Sequence, residues 1–412
     1  MRLSKRSSAW SSVVVVLTSS SLAFAAAIAA GCSSGETPHA VLKKLDRDAA
    51  PEASVVVEGN YEWHLPAGFP KPKVPPDNPI STEKVELGRR LFYDKRLSGN
   101  GTYSCASCHD PQKGFTDGRA QALGSTGELH PRSAMSLANI GYASTLTWAN
   151  DLLVPLERQT LVPMFGETPV ELGLTGQEDA MLARLRAEPI YVEGFPRAFV
   201  GDGEPISLDH VIKAIATFER TLISGGSAYD RFVYGRDSSA LDDSAKRGRD
   251  LFFSERTECF HCHGNFNFAD NLSHEGTVIT EMAFHNTALY NIDGNGSYPV
   301  ASRGLIDVSG KPSDMGRFKA PTLRNIAVTA PYMHDGSIAT LAEVIDHYAR
   351  GGRKIDSGPN AGDGAQSPIK SEFLRGFLIS DDEKADLVHF LESLTDQAFL
   401  ADPRFADPWT SP

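Results

Sequence analysis

Cysteine placement constrains this chain more than any other feature. There are five cysteines, Cys32, Cys105, Cys108, Cys259 and Cys262. The last four form two C-x-x-C pairs, each followed at once by a histidine: Cys105-Ala106-Ser107-Cys108-His109 and Cys259-Phe260-His261-Cys262-His263. Two thiols in one turn add to the two vinyl groups of a haem, and the next histidine reaches the iron from the same side. A zinc or redox C-x-x-C with a chance histidine carries the same letters. Two copies in a repeated context argue against that alternative. The expectation is two covalent c-type haems, with His109 and His263 as proximal iron ligands.

The repeated context is explicit. Gly88-Arg89-Arg90-Leu91-Phe92-Tyr93 precedes the first motif and Phe115-Thr116-Asp117 follows it. Gly248-Arg249-Asp250-Leu251-Phe252-Phe253 precedes the second and Phe268-Ala269-Asp270 follows it. A helix, an attachment loop and a turn are used twice. Helical periodicity also marks 178–187, 208–222 after an N-cap Ser207, and 341–348 after Thr340 with Glu343 three residues on. A last helix opens at Ser380 and runs to about Leu394. Strand signals are sparse. The fold expected is mainly α, two cytochrome c-like haem domains with long loops, spanning 61–237 and 238–412. A polar, Gly/Asp/Ser-rich boundary falls between Tyr234 and Ser244.

The first 31 residues hold Arg2, Lys5 and Arg6, then an apolar run from Val13 to Ala30 ending in Gly31-Cys32. That order reads as a lipoprotein signal peptide (1–31), cut before Cys32, which then carries the lipid. An ordinary signal peptide or a short membrane helix is the alternative. Residues 32–60 read as a polar tether, and a Pro-rich arm follows with Tyr61, Trp63 and Phe69 to bury. The expected location is the periplasmic side of a bacterial membrane, lipid-anchored, in the outer membrane. A formal charge of -12 argues against nucleic acid as a partner.

What each iron does depends on its other face. A sixth protein ligand makes an electron-transfer centre, whereas an open face admits peroxide or oxygen. Spacing alone does not choose a distal ligand among seven Met, eleven Tyr and the other histidines.

Longer motifs narrow the choice. Leu87-Gly88-Arg89-Arg90-Leu91-Phe92-Tyr93-Asp94, Arg96-Leu97-Ser98, Ala320-Pro321-Thr322-Leu323-Arg324-Asn325 and Thr329-Ala330-Pro331-Tyr332-Met333-His334-Asp335-Gly336-Ser337 resemble the di-haem cytochrome c peroxidases and their MauG relatives, over 87–394. Pro163-Met164-Phe165-Gly166-Glu167-Thr168-Pro169-Val170-Glu171-Leu172-Gly173 looks most like the MbnH branch, whose members are paired with a small copper-binding protein, MbnP. The resemblance implies the following roles. Tyr348, fourteen residues after His334, stands where peroxidases place a methionine and MauG a tyrosine, so it would close the second haem; a core role in its helix is the alternative. A phenolate there favours ferric and higher states. Ser125 stands where some relatives carry a blocking histidine, which leaves the first haem open, with His130 nearby as a substitute. Trp148 would pass charge between the haems. Gln159, Glu171 and Pro163 would form the distal pocket, Glu171 shuttling a proton between peroxide oxygens. Two extra residues between Gln159 and Glu171 leave the glutamine's alignment open. Calcium would sit between the haems on the carbonyls of Thr329 and Pro331, with Ser133 or Asn139 as side-chain ligand.

The function implied is a peroxidase-type oxidoreductase. Hydrogen peroxide would form a high-valent di-haem state that oxidises a residue on a partner protein, tryptophan to kynurenine in the MbnH branch. Two alternatives remain: peroxide detoxification fed by a small redox protein, and a non-enzymatic di-haem electron carrier.

Overall fold

The computed structural model describes residues 52–410. In chain order its main helices are α1 (Thr82–Tyr93), α2 (Glu178–Arg186), α3 (Pro189–Ala198), α4 (Leu208–Arg220), α5 (Ala228–Val233), α6 (Asp243–Phe252), α7 (Leu341–Arg350) and α8 (Asp381–Glu392). Among the described residues the strands form three antiparallel two-stranded ribbons: β1 (Ser54–Glu58) with β2 (Tyr61–Leu65), β3 (His285–Asn286) with β4 (Arg317–Phe318), and β5 (Lys354–Ile355) with β6 (Gly362–Asp363). The mainly α expectation holds. The helix starts follow the caps read in the sequence. Ser207 accepts from the His210 amide at the start of α4, and Thr340/Glu343 and Ser380/Glu383 form capping boxes on α7 and α8.

The internal repeat becomes two matching helix crossings. A Cβ on Gly88 of α1 would lie 1.9 Å from the Ala214 carbonyl oxygen of α4 and 2.9 Å from the Phe218 Cβ. A Cβ on Gly248 of α6 would lie 1.9 Å from the Asp386 carbonyl oxygen of α8 and 2.8 Å from the Phe390 Cβ. Each crossing needs backbone against backbone, so only glycine fits. Around it the aromatic rings repeat too. Phe92 meets Phe218 at 5.3 Å and Phe115 at 6.2 Å, while Phe252 meets Phe390 at 5.2 Å and Phe268 at 6.0 Å. Three of these contacts are edge-on and the Phe252–Phe390 pair is tilted; aromatic pairs of this kind add about 0.5–1.5 kcal/mol each beyond their buried area. Among the described residues the two larger apolar cores lie one around α1, α3 and α4 and the other around α6, α7 and α8.

The Ser54–Leu65 ribbon begins inside the stretch read as a tether. Alternation in Val55-Val56-Val57 is short, and the pairing is fixed by Trp63, buried in a small core with Leu65 and Ile80 and donating its indole N–H to Glu58. Residues 1–51, with the signal peptide and Cys32, lie outside the described residues. No helix among the described residues is long and apolar enough to cross a membrane.

Candidate active site

Each attachment loop holds its histidine in the same way. Phe115 and Phe268 take a left-handed backbone (φ 62 and φ 50), which turns their carbonyls back toward the loop. The His109 Nδ1 lies 2.8 Å from the Phe115 oxygen, and the His263 Nδ1 lies 2.7 Å from the Phe268 oxygen. A carbonyl acceptor requires hydrogen on Nδ1, which leaves the Nε2 lone pair for a metal. Burial pushes both imidazoles below the ordinary histidine range, so they are neutral ligands. The histidine beyond each C-x-x-C thus fits a ligand to a haem iron, and each lines a cavity.

The first cavity, about 390 Å³, is lined by Cys105, Cys108 and His109, and by Trp148, Gln159, Pro163 and Glu171. The chain brings these together by folding 122–130 back on itself. The Ser125 amide donates to the Glu171 carbonyl at 2.7 Å, and Gly124 approaches Val170 so closely that a Cβ would lie 1.9 Å from its oxygen. Burial pushes the Glu171 carboxyl up to about 6. Beside it stands His130, its Nε2 3.9 Å from a Glu171 oxygen. The Arg132 amide donates to His130 Nδ1 at 3.2 Å, so the ring hydrogen sits on Nε2 and points toward Glu171. Burial, and Arg132 after it, lowers His130 to about 4. His130 is therefore a neutral member of the cavity wall, whereas Ser125 is held in the loop by its backbone.

The second cavity, about 200 Å³, is lined by Cys259, Cys262, His263 and Tyr348. Tyr348 lies on α7, whose apolar face turns inward. Burial raises its phenol well above the ordinary range, with Cys262, Cys259 and Tyr298 adding in that order. A phenol that lines the same cavity as a proximal histidine could ligate an iron bound there, whose charge would displace its proton. Trp148 lines both cavities, and its indole N–H donates to the Ser133 carbonyl at 2.9 Å.

The residues read as calcium ligands converge only in part. The Ser133 amide donates to the His334 carbonyl at 2.9 Å and its hydroxyl to the Met333 carbonyl at 3.3 Å, which sets it against the segment that follows Thr329 and Pro331. Asn139 is committed elsewhere. Its amide donates to the Ser224 carbonyl and to Asn267, and its Oδ1 accepts from the Ser224 amide. The Asn139 alternative is therefore set aside.

Sequence reasoning missed three wall residues. Glu219 lies on the buried face of α4 and lines the first cavity. Its Oε2 has no hydrogen-bond partner among the described residues, and burial pushes the carboxyl up to about 8 against the pull of Arg220. An acid among Val211, Ile215 and Phe218 on an apolar helix face was the available signal. In the second cavity, burial pulls His285 down, but its bond to Asp270 and contact with Cys262 prevail and raise it to about 10. Lys319 is buried, lowered to about 8, and donates to the Thr145 carbonyl at 3.0 Å.

Known proteins share this plan. A family model for di-haem cytochrome c peroxidase matches residues 82–238. Methylamine utilization protein MauG of Methylorubrum extorquens is 35% identical over 81% of this chain and 83% of its own length. Cytochrome-c peroxidase IdrP1 of Pseudomonas sp. (strain SCT) is 35% identical over 86% of this chain and 90% of its own. Among solved structures, a MauG-like protein associated with microbial copper homeostasis is 52% identical, with a TM-score of 0.83, over 85% of this chain and 100% of that one. With two matching haem-attachment loops, two facing cavities and these relatives, the chain belongs to the MauG and di-haem cytochrome c peroxidase family of oxidoreductases.

Proposed function

We propose that this chain uses hydrogen peroxide, at the cavity beside Glu171, to oxidise a tryptophan on a small partner protein to kynurenine: two peroxides take up four electrons and become water, water supplies the oxygens that enter the opened ring, and one ring carbon leaves as formate. The observation that carries the reading is the inequality of the two cavities. The first cavity holds an elevated carboxyl and a neutral imidazole together with its proximal histidine, and the second holds a phenol together with its own. Two c-type haems, held by Cys105, Cys108 and His109 and by Cys259, Cys262, His263 and Tyr348, supply the redox chemistry. The protein supplies proton handling, insulation and a path. Glu171 takes a proton from the near peroxide oxygen and returns it to the far one, which makes water the leaving group. His130 keeps a neutral imidazole beside the Glu171 carboxyl, its Nε2 3.9 Å from a carboxyl oxygen. Gln159 and Pro163 shape the space above. Trp148 touches both cavities and joins them. Tyr348, as a phenolate, favours the more oxidised states of its iron.

The partner assignment is supported by similarity to a protein associated with copper homeostasis and by the MbnH-like stretch 163–173. It extends to a copper-binding, MbnP-like partner. We further place a calcium ion at the carbonyls of Thr329 and Pro331 with Ser133, and the enzyme on the periplasmic face of the outer membrane, anchored by lipid on Cys32. The test is mass spectrometry of the secreted partner, produced with and without this enzyme. The reading expects one partner tryptophan converted to kynurenine only when the enzyme is present, and conversion lost in Glu171→Gln. An unmodified partner, with peroxide instead consumed at the expense of a small redox protein, supports the detoxifying reading.

A further inference from the structure

An aromatic file leads away from the second cavity. Its first members, His334 and Phe318, line that cavity and stack at 3.6 Å with planes 12° apart. Trp148 packs on His334 at 6.5 Å between ring centres. Behind them lies Tyr298, 6.3 Å from His334 and 6.1 Å from Phe318. Tyr290 follows at 5.4 Å, nearly perpendicular to Tyr298 at 70°. His334, Phe318, Tyr298 and Tyr290 are each at least nine-tenths buried.

The two tyrosines differ in what receives their hydroxyl hydrogen. Tyr298 donates to the Asn286 amide oxygen at 2.8 Å and accepts from the Leu289 amide at 3.1 Å. Tyr290 donates to the Asp335 carboxylate at 2.5 Å. Asp335 is held in turn by the Ser337 amide at 3.1 Å, and the Arg353 guanidinium lies over the Tyr290 ring at 5.9 Å. A phenol that loses an electron becomes a very strong acid, so the hole settles where a base stands ready. An amide oxygen is a poor base and a carboxylate a good one.

We infer that Tyr290 is a redox-active residue, the end of a file through His334, Phe318 and Tyr298 that drains an oxidising equivalent from the second haem site when no partner is docked. The inference rests on the peroxide reading above. In the step, one electron leaves Tyr290 along the file toward the peroxide-oxidised haem pair. The phenolic O–H bond breaks, its proton forms an O–H bond on Asp335, and a neutral tyrosyl radical remains. A one-electron donor such as ascorbate restores the phenol as Asp335 returns the proton. The burial of Tyr290 slows side reactions of the radical, and its carboxylate partner makes it the file's resting point.

The experiment uses the haem-loaded protein without partner, mixed with hydrogen peroxide and freeze-quenched for electron paramagnetic resonance while the haem bands are followed optically. The inference expects a radical signal whose hyperfine pattern collapses when tyrosine is ring-deuterated. Tyr290→Phe should abolish that signal and slow the return of the haem bands several-fold. Asp335→Asn, which keeps the phenol but removes the base, should slow the return likewise. Haem bands that respond to peroxide, with the same radical and the same decay in Tyr290→Phe, overturn the inference alone. Bands that do not respond at all overturn the peroxide reading and the inference together.

Discussion

Glu171 offers a quantitative check through pH. Burial moves its carboxyl from an ordinary 4.5 up to about 6. As a base it must be ionised, so the peroxide reaction should accelerate as pH rises through about 6. From that value the ionised fraction is roughly one tenth at pH ~5 and nine tenths at pH ~7, about a tenfold rise; an unshifted carboxyl would give only ~1.3-fold. His130, held near 4, stays neutral across this window and does not contribute. The assay is stopped-flow mixing of oxidised, haem-loaded protein with peroxide, reading the haem bands from pH ~5 to ~7. Glu171→Gln should remove the pH dependence and slow the reaction by about 10²–10⁴-fold, the usual contribution of a positioned base. Burial favours the neutral acid, so the stability this group gives the fold is present at low pH and lost as pH rises through about 6. The Gln variant should therefore unfold no more easily than the parent at pH ~7, which separates lost chemistry from lost fold. A flat profile in the parent, or an unchanged one in Glu171→Gln, would show that Glu171 is not the base.

Other expectations concern the second cavity and the frame. Tyr348→Phe should convert the second haem from a low-spin to an altered ferric spectrum, read optically, while the first keeps its features. Gly248→Ala should push α6 off α8, because its Cβ would lie 1.9 Å from a carbonyl oxygen; overpacking of this kind costs about 1–3 kcal/mol, measured by denaturant unfolding. Arg324 is wholly buried and paired with Asp230, so Arg324→Met strips a buried carboxylate of its cation and leaves it the Ser227 amide and hydroxyl; a loss of about 3–5 kcal/mol is expected in the same assay.

Local signals explain what the sequence made legible. The attachment loops needed only consecutive residues, and the capping boxes at Thr340 and Ser380 only a three-residue spacing. The repeated Gly-Arg pairs inside α1 and α6 showed two similar units because each glycine answers one tight crossing. Residues joined across long loops were harder. His130 reaches Glu171 because 122–130 folds back through the Gly124, Ser125 and His130 backbone, a pairing without periodicity. Glu219 sits on an apolar helix face, where its carboxyl looks like an interruption until a cavity is seen beside it. Helix α3 carries Pro189 at its start and Pro196 inside, which mask its period. Asn139 stood near the right place in sequence, yet its left-handed backbone and its bonds to Ser224 and Asn267 turn it to another task.

The central claim is that the two haem sites are unequal, one open beside Glu171 and the other closed by Tyr348. Electron paramagnetic resonance of the resting ferric protein tests it most directly. One high-spin and one low-spin signal are expected in equal amounts, with the low-spin signal displaced in Tyr348→Phe. Two low-spin signals, or a low-spin signal untouched by that substitution, would contradict it.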